Sequence, residues 1–301
     1  MQIVNIYNEY LLYLKKRYKP QTFNNWSYNF NANILSFFKN YNLDDICIRD
    51  IINWENYILE KNFSNNHNNN LFGMLKKFFH YCYIYYGFDE TIFLKADCFP
   101  HKVEFKRHNY YTLEEFNQFI SCVENEIYKQ FFCLMFYCGT RPGEAMALRF
   151  SDINENVLSI NKTIDEHGNR EIGLPKTDSS IRDIVIDDTL KNDLINLSKI
   201  YQSKFDSFND DFYVFGGIKP LSSTTINRYK IKACEKANIY LIKLHEFRHS
   251  HATFLKDLGV DLHIVSKRLG HNNVSTTLNI YQHCNKEQEK RVLNTLNSLR
   301  T

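Results

Sequence analysis

Four short segments concentrate the side chains of this 301-residue chain that could do chemistry. Cys138-Gly-Thr-Arg141-Pro-Gly-Glu144 follows an apolar helical run, and Leu174-Pro-Lys176-Thr-Asp-Ser-Ser180-Ile-Arg182 lies between two strand-like stretches. Leu244-His245-Glu-Phe-Arg248-His249-Ser-His251 is the third, and Leu269-Gly-His271, with Tyr281 ten residues later, is the fourth. Each alone has an ordinary explanation: a surface arginine, a solvated hairpin lysine, a hydrogen-bonded core imidazole, a packed tyrosine. Together, two arginines, a lysine, two imidazoles and a phenol suit a phosphodiester. Guanidinium forks match its non-bridging oxygens, and a phenol can attack phosphorus to form a covalent phosphoester.

The elements that must hold these groups fall into two parts. Residues 1 to about 100 read as helices only. Ile3, Ile6, Tyr7, Tyr10, Leu11 and Leu14 recur at helical spacing. Pro20-Gln21-Thr22 breaks that helix and starts the next, which carries Trp26, Phe30, Ile34, Leu35 and Phe38. A third helix spans Asp50 to Glu60, residues 63–70 form a polar break, and an aromatic helix runs from Leu71 to Tyr86 and stops at Gly87. The stretch 97–110 reads as a linker, and Thr112-Leu-Glu-Glu115 is a capping box that opens a new helix. Beyond it, helices are expected over about 112–150, strands at about 157–163, 170–174 and 181–186, and helices again from about 222 to the end. The expected fold is mainly α with a small antiparallel β-sheet: a helical domain over 1–100, a linker over 101–110 and an α+β domain over 111–301.

Composition bounds the reading. A hydrophobic fraction of 44% supports real cores, and 24% charged residues with a net charge of +3 is ordinary. The longest apolar run, 131–138, is far short of the roughly 20 residues a membrane span needs. Eight cysteines without a C-x-x-C pair read as thiols of a reducing compartment, and the N-terminus lacks the order of a signal peptide, so a cytoplasmic protein is expected.

The ordered set Arg141, Lys176, His245-x-x-Arg248, His271, Tyr281, with gaps of 35, 69, 3, 23 and 10 residues, resembles the signature of the tyrosine recombinases of the phage integrase family. The flanking text agrees, from Gly-Thr-Arg-Pro-Gly-Glu through Pro-Lys-Thr and His-Glu-Phe-Arg-His-Ser-His-Ala-Thr to the run Leu269–Tyr281. The resemblance is strong over about 110–290. The first 100 residues resemble the family's helical, SAM-like core-binding domain by helix count and position.

What this resemblance implies is site-specific cutting and rejoining of DNA. Tyr281 would attack the scissile phosphate and become 3′-phosphotyrosine. Arg141 and Arg248 would clamp the non-bridging oxygens, and Lys176 would protonate the leaving 5′-oxygen. His245 would act as base or proton shuttle, His271 would donate a hydrogen bond, and Glu144 would orient Arg141 or His245. No cofactor or metal is implied. Lys15, Lys16, Arg17, Lys19, Lys76 and Lys77, with the linker cations Lys102, Lys106 and Arg107, are candidate DNA-phosphate contacts. The partners implied are double-stranded recombination sites and three further copies, a homotetramer on DNA coupled by exchange of a C-terminal helix with Val292, Leu293, Leu296 and Leu299 on one face. A bacterial or phage-encoded, nucleoid-associated protein follows. The chain opens directly in the core-binding helices and so resembles the two-domain members, which are phage or mobile-element integrases, chromosome-dimer resolvases and transposon recombinases. The loose match of the first domain and the Asn-rich break at 62–70 favour a mobile-element integrase.

Two other readings remain open on sequence. A type IB topoisomerase would use the same cleavage to relax supercoils. His245-Glu246-Phe247-Arg248-His249 also matches H-E-x-x-H, which on a helix could bind zinc as in metalloproteases. The zinc reading has no third ligand downstream and leaves Arg141, Lys176 and Tyr281 without a role.

Overall fold

The computed structural model describes residues 1–94, 99, 109–164, 172–173 and 178–271. The chain divides into two units, Met1–Phe105 and Lys106–Thr301, each with its own hydrophobic core.

In the first unit, α1 (Ile3–Lys15) turns Ile3, Ile6, Tyr7, Tyr10 and Leu14 inward, the stripe its sequence period predicts. Pro20 takes the first position of α2 (Pro20–Phe30), where its missing N–H leaves no helical bond unmade. A π-helical turn, Asn31–Leu35, joins α2 to α3 (Ser36–Phe38). Carbonyls in this widened turn find side-chain donors: the Trp54 indole donates to Asn33 O (2.8 Å) and Lys61 Nζ to Ala32 O (3.1 Å). Helix α4 (Ile48–Glu60) buries Ile51, Trp54 and Ile58. The core is dense in rings. Tyr7 and Trp26 both stack on Phe30, at 4.6 and 4.7 Å between centroids, and such pairs add roughly 0.5–1.5 kcal/mol beyond the area they bury.

The polar stretch 63–70 departs from expectation. It is largely helical, because α5 runs Asn65–Tyr86. Ser64 Oγ accepts the His67 N–H (3.3 Å), Asn68 is fully buried, and Asn69 donates to the Phe99 carbonyl (3.1 Å). Capping and burial outweigh the weak helix propensity of asparagine. Gly87 closes the helix in the left-handed region, as its sequence position suggests.

In the second unit, α6 (Leu113–Ser121) opens on the expected capping box: Glu115 N donates to Thr112 Oγ1, and Thr112 N donates to Glu115 Oε2. Helix α7 (Glu126–Cys138) is the apolar centre. It packs against α6, against α9 (Asp188–Lys204) and against α11 (Leu244–Asp257). Phe116 stacks on Phe136 and Phe132 on Phe247 within this core. The short α8 (Pro142–Ala147) follows α7 directly, α10 (Ser223–Ala237) lies against α6, and α12 (Leu262–Leu269) lies against α11.

Among the described residues the strands form two small antiparallel sheets rather than one. The first orders β1 (Ile153–Asn154), β2 (Val157–Ile160) and β5 (Arg182–Val185); the second pairs β3 (Thr163–Ile164) with β4 (Ile172–Gly173). The expected strand 157–163 is therefore split between sheets. In the first sheet Leu158 sits opposite Ile184, both buried, and Ile160 sits opposite Arg182. Helix α9 fills a stretch the sequence reading left without an element. Asp187 caps it by accepting the Leu190 N–H (3.0 Å), and Leu190, Leu194, Leu197 and Tyr201 face the core. No helix among the described residues is long and apolar enough to cross a membrane.

Candidate active site

Arg141 is the N-cap of α8, one residue past the Gly139-Thr140 link from α7, and Pro142 fixes the first helical position. Glu144, three residues on, closes a capping box whose acceptor serves the site as well. Glu144 Oε2 accepts the Arg141 backbone N–H (2.9 Å), and Oε1 accepts from Arg141 Nη1 (2.6 Å). Arg141 also donates to Ser180 Oγ (3.2 Å) and to the Gly270 carbonyl (3.3 Å). Its side chain keeps 34% of its surface exposed, whereas that of Glu144 keeps 2%. Gly143 is required here, since a Cβ would strike the Ile164 carbonyl and the Thr163 hydroxyl.

Arg248 comes from α11 and is buried. Nη1 donates to the Gly139 carbonyl (2.8 Å) and Nη2 to the Leu269 carbonyl (2.6 Å). Gly139 and Gly270 are the left-handed C-caps of α7 and α12, at φ 64° and 68°. Two helix C-termini thus point their unpaired carbonyls, and the negative ends of their dipoles, at the two guanidinium groups. Such an interaction is worth about 0.3–1 kcal/mol when exposed and up to about 2 kcal/mol when partly buried.

His245 lies one turn before Arg248 on α11 and is open to solvent. Desolvation within the site, then the charges of Arg248 and Arg141, push its pKa down. His271 follows Gly270 and is half-buried; burial, then Arg248, Arg141 and Arg182, push it down to about 4. Both imidazoles are therefore neutral near pH 7, each able to accept one proton and donate another. Burial raises the pKa of Glu144, but the hydrogen bonds and charge of Arg182 and Arg141 outweigh it and hold the carboxyl below its usual range. One carboxylate among three guanidinium groups leaves a net positive charge, suited to a phosphate.

Arg141, Arg248, His245, His271 and Glu144 lie within one another's electrostatic reach. Lys176 and Tyr281 lie outside the described residues, as do the linker cations Lys102, Lys106 and Arg107, His283 and the C-terminal helix. His249, one turn on from His245, meets the Tyr110 ring edge-on at 5.4 Å, and its charge adds to those that lower the His245 pKa. No group of three or more His, Cys, Asp or Glu side chains able to hold a metal ion occurs among the described residues.

Three residues given no role in the sequence reading underlie the site. Arg182, at the start of β5, makes a two-pronged bond to Glu144: Nη2 to Oε2 at 2.9 Å and Nη1 to Oε1 at 3.2 Å. Arg268 ties the end of α7 to β5, donating to the Tyr137 and Val185 carbonyls (3.2 and 3.0 Å). His251, fully buried, lies 2.7 Å from the Phe136 carbonyl through Nδ1 and 3.3 Å from Arg268 Nε through Nε2. A carbonyl only accepts and a guanidinium only donates, so the proton sits on Nδ1.

In the first unit, Arg17, Lys76 and Lys77 line a single groove of about 660 Å³ together with Tyr13, Tyr81 and Tyr85. The Arg17 guanidinium lies 3.6 Å from the centre of the Tyr13 ring. Lys15, Lys16 and Lys19 do not line it.

Comparison with known proteins supplies the family. The phage integrase family profile matches residues 109–288, and the N-terminal SAM-like domain of phage integrases matches residues 3–59. The chain belongs to the phage integrase family. This integrase-family protein is a tyrosine-type site-specific DNA recombinase. It is 29% identical over 298 residues to the ICEBs1 integrase of Bacillus subtilis (strain 168), covering 93% of this chain and 78% of that one. Its fold matches the Tn1549 transposon integrase in complex with a circular intermediate DNA, with a TM-score of 0.81 at 17% identity over 98% of this chain and 99% of the other. A lambda integrase dimer bound to a core site matches with a TM-score of 0.73 at 17% identity, covering 93% and 95%. The integrase family domain favours neither the topoisomerase-like reading nor the zinc one.

Proposed function

We propose that this recombinase is the integrase of a mobile element, and that it cuts and rejoins double-stranded DNA through a 3′-phosphotyrosyl bond to Tyr281. The observation that carries the reading is the convergence of Arg141 and Arg248 on carbonyls of the same two residues' neighbourhood, Leu269-Gly270, beside two imidazoles held neutral.

The chemistry follows from the groups. Arg141 and Arg248 offset charge on the non-bridging oxygens as phosphorus becomes five-coordinate, and fixed donors of this kind need no reorganisation during the step. Tyr281 attacks in line. Its phenol, with an ordinary pKa of about 10, loses its proton to His245, whose depressed pKa keeps it able to accept one. His271 donates from its ring N–H to a non-bridging oxygen. Lys176 protonates the departing 5′-oxygen. The phosphotyrosyl ester conserves the bond, and the 5′-hydroxyl of the partner strand reverses the reaction. The lambda integrase tetramer bound to a Holliday junction supports a four-subunit assembly on DNA for this chain, coupled through the C-terminal segment, and the bacterial relatives support a cytoplasmic site of action.

A duplex nicked next to the cleavage site traps the covalent product, because the short released strand diffuses away. Wild-type protein should migrate as a DNA adduct under denaturing conditions and Tyr281→Phe should not. An adduct formed by Tyr281→Phe would remove Tyr281 as the nucleophile.

A further inference from the structure

Arg182 is chemically conspicuous because so little of it can reach a substrate. Its side chain is 6% exposed. Nε donates to the Arg268 carbonyl (2.7 Å), Nη1 to the Ser180 carbonyl (3.0 Å) and to Glu144 Oε1 (3.2 Å), and Nη2 to Glu144 Oε2 (2.9 Å). Four of its five N–H donors are thus spent inside the protein.

The partner at its end, Glu144, is the carboxylate that also grips Arg141 through Oε1 (2.6 Å). With Arg141 as its only cation, a carboxylate buried this deeply would cancel that guanidinium's charge and turn its fork inward. With Arg182 on the same carboxylate, the trio keeps one net positive charge, and Arg141, 34% exposed, is the member that presents it outward. In a poorly solvated site the difference between a net charge of zero and one is large.

We infer that Arg182 is a positioning residue for strand cleavage: its fork fixes Glu144 and offsets its charge, so that Arg141 stays oriented and its own charge remains available to the substrate phosphate. This rests on the reading of Arg141 as a phosphate clamp. The backbone builds it in. Strand β5 begins at Arg182, in register with Ile160 of β2, and the Ser179 carbonyl and the Arg182 side chain crowd Gly270 so closely that a Cβ there would lie 2.8 and 3.1 Å from them.

The test measures single-turnover cleavage of the nicked duplex, DNA affinity and the melting temperature in the full chain. Arg182→Met should slow cleavage by about 30-fold or more while affinity changes less than about threefold, because the affinity comes from many other phosphate contacts. Adding Glu144→Gln removes the charge that Arg182 offsets, and the double variant should cleave about tenfold faster than Arg182→Met, a non-additivity that simple loss of structure does not produce. A double variant no faster than Arg182→Met, or an Arg182→Met rate within about twofold of wild type, would overturn the inference. Should Arg182→Met lose its melting transition, Arg182→Lys takes its place. It keeps the charge but not the fork, so it should cleave about tenfold slower than wild type, and a wild-type rate would overturn the positioning role. Arg141→Lys is measured alongside: wild-type cleavage by that variant would overturn the clamp reading itself, whereas the other outcomes bear on Arg182 alone.

Discussion

Among single residues, His251 shows how a buried imidazole couples stability to pH. Burial, then the charge of Arg268, pushes its pKa down to about 3, and its neutral ring bridges the Phe136 carbonyl and Arg268. The unfolded chain protonates this ring below its ordinary pKa of about 6.5, but the folded protein does not until about pH 3. Its contribution to stability is therefore complete above about pH 6.5 and is lost as the pH falls toward 3. Between about pH 7 and pH 5 the wild type should lose on the order of 2 kcal/mol that His251→Asn does not, since asparagine can donate like Nδ1–H but does not titrate. Urea unfolding at the two pH values measures this, and parallel losses in the two proteins would contradict it. The candidate set was legible in sequence because Arg141, His245, Arg248 and His271 carry their own flanking text. The bonds of Arg182 are not legible in its own segment, because they exist only once a strand start meets the first turn of a helix 38 residues earlier.

At the level of elements, the helix ends matter more than the helix bodies. Gly87 and Gly270 have nearly the same left-handed φ, 69° and 68°, but a Cβ on Gly87 would meet nothing within 4 Å, whereas one on Gly270 would lie 2.8 Å from the Ser179 carbonyl. Gly87→Ala should cost only the strain of that conformation, about 1 kcal/mol, with cleavage unchanged. Gly270→Ala adds a backbone clash and should cost about 2–4 kcal/mol while slowing cleavage, because the carbonyls that hold Arg141 and Arg248 must move. Thermal melts and trapping with the nicked duplex distinguish the two; equal effects would mean that the α12 cap does not set the site. Helices with dense apolar stripes, such as α1 and α7, were legible. Helix α9 was not, because its inward residues Leu190, Leu194, Leu197 and Tyr201 are separated by a largely polar sequence. The start of α5 was hidden for the opposite reason: an asparagine run that reads as a break is held by a cap and by burial.

Over the whole molecule, the net charge of only +3 means that attraction to DNA must come from local clusters. Arg17, Lys76 and Lys77, which the sequence reading treated as separate runs, share one groove. Replacing Lys76 and Lys77 by glutamate should weaken DNA binding and lower the slope of log affinity against log salt by about 2, roughly one per lost phosphate contact. An unchanged slope in a salt titration would move the DNA-contacting face elsewhere. One property of the catalytic unit bears on its future as much as on its present. The atoms that seat Arg248, and one of those that seat Arg141, are peptide oxygens of Gly139, Leu269 and Gly270, and a peptide oxygen stays in place under any substitution that leaves the backbone where it is. Side chains next to these three peptide groups can therefore change in chemistry without removing an acceptor, so long as the left-handed turns at Gly139 and Gly270 persist.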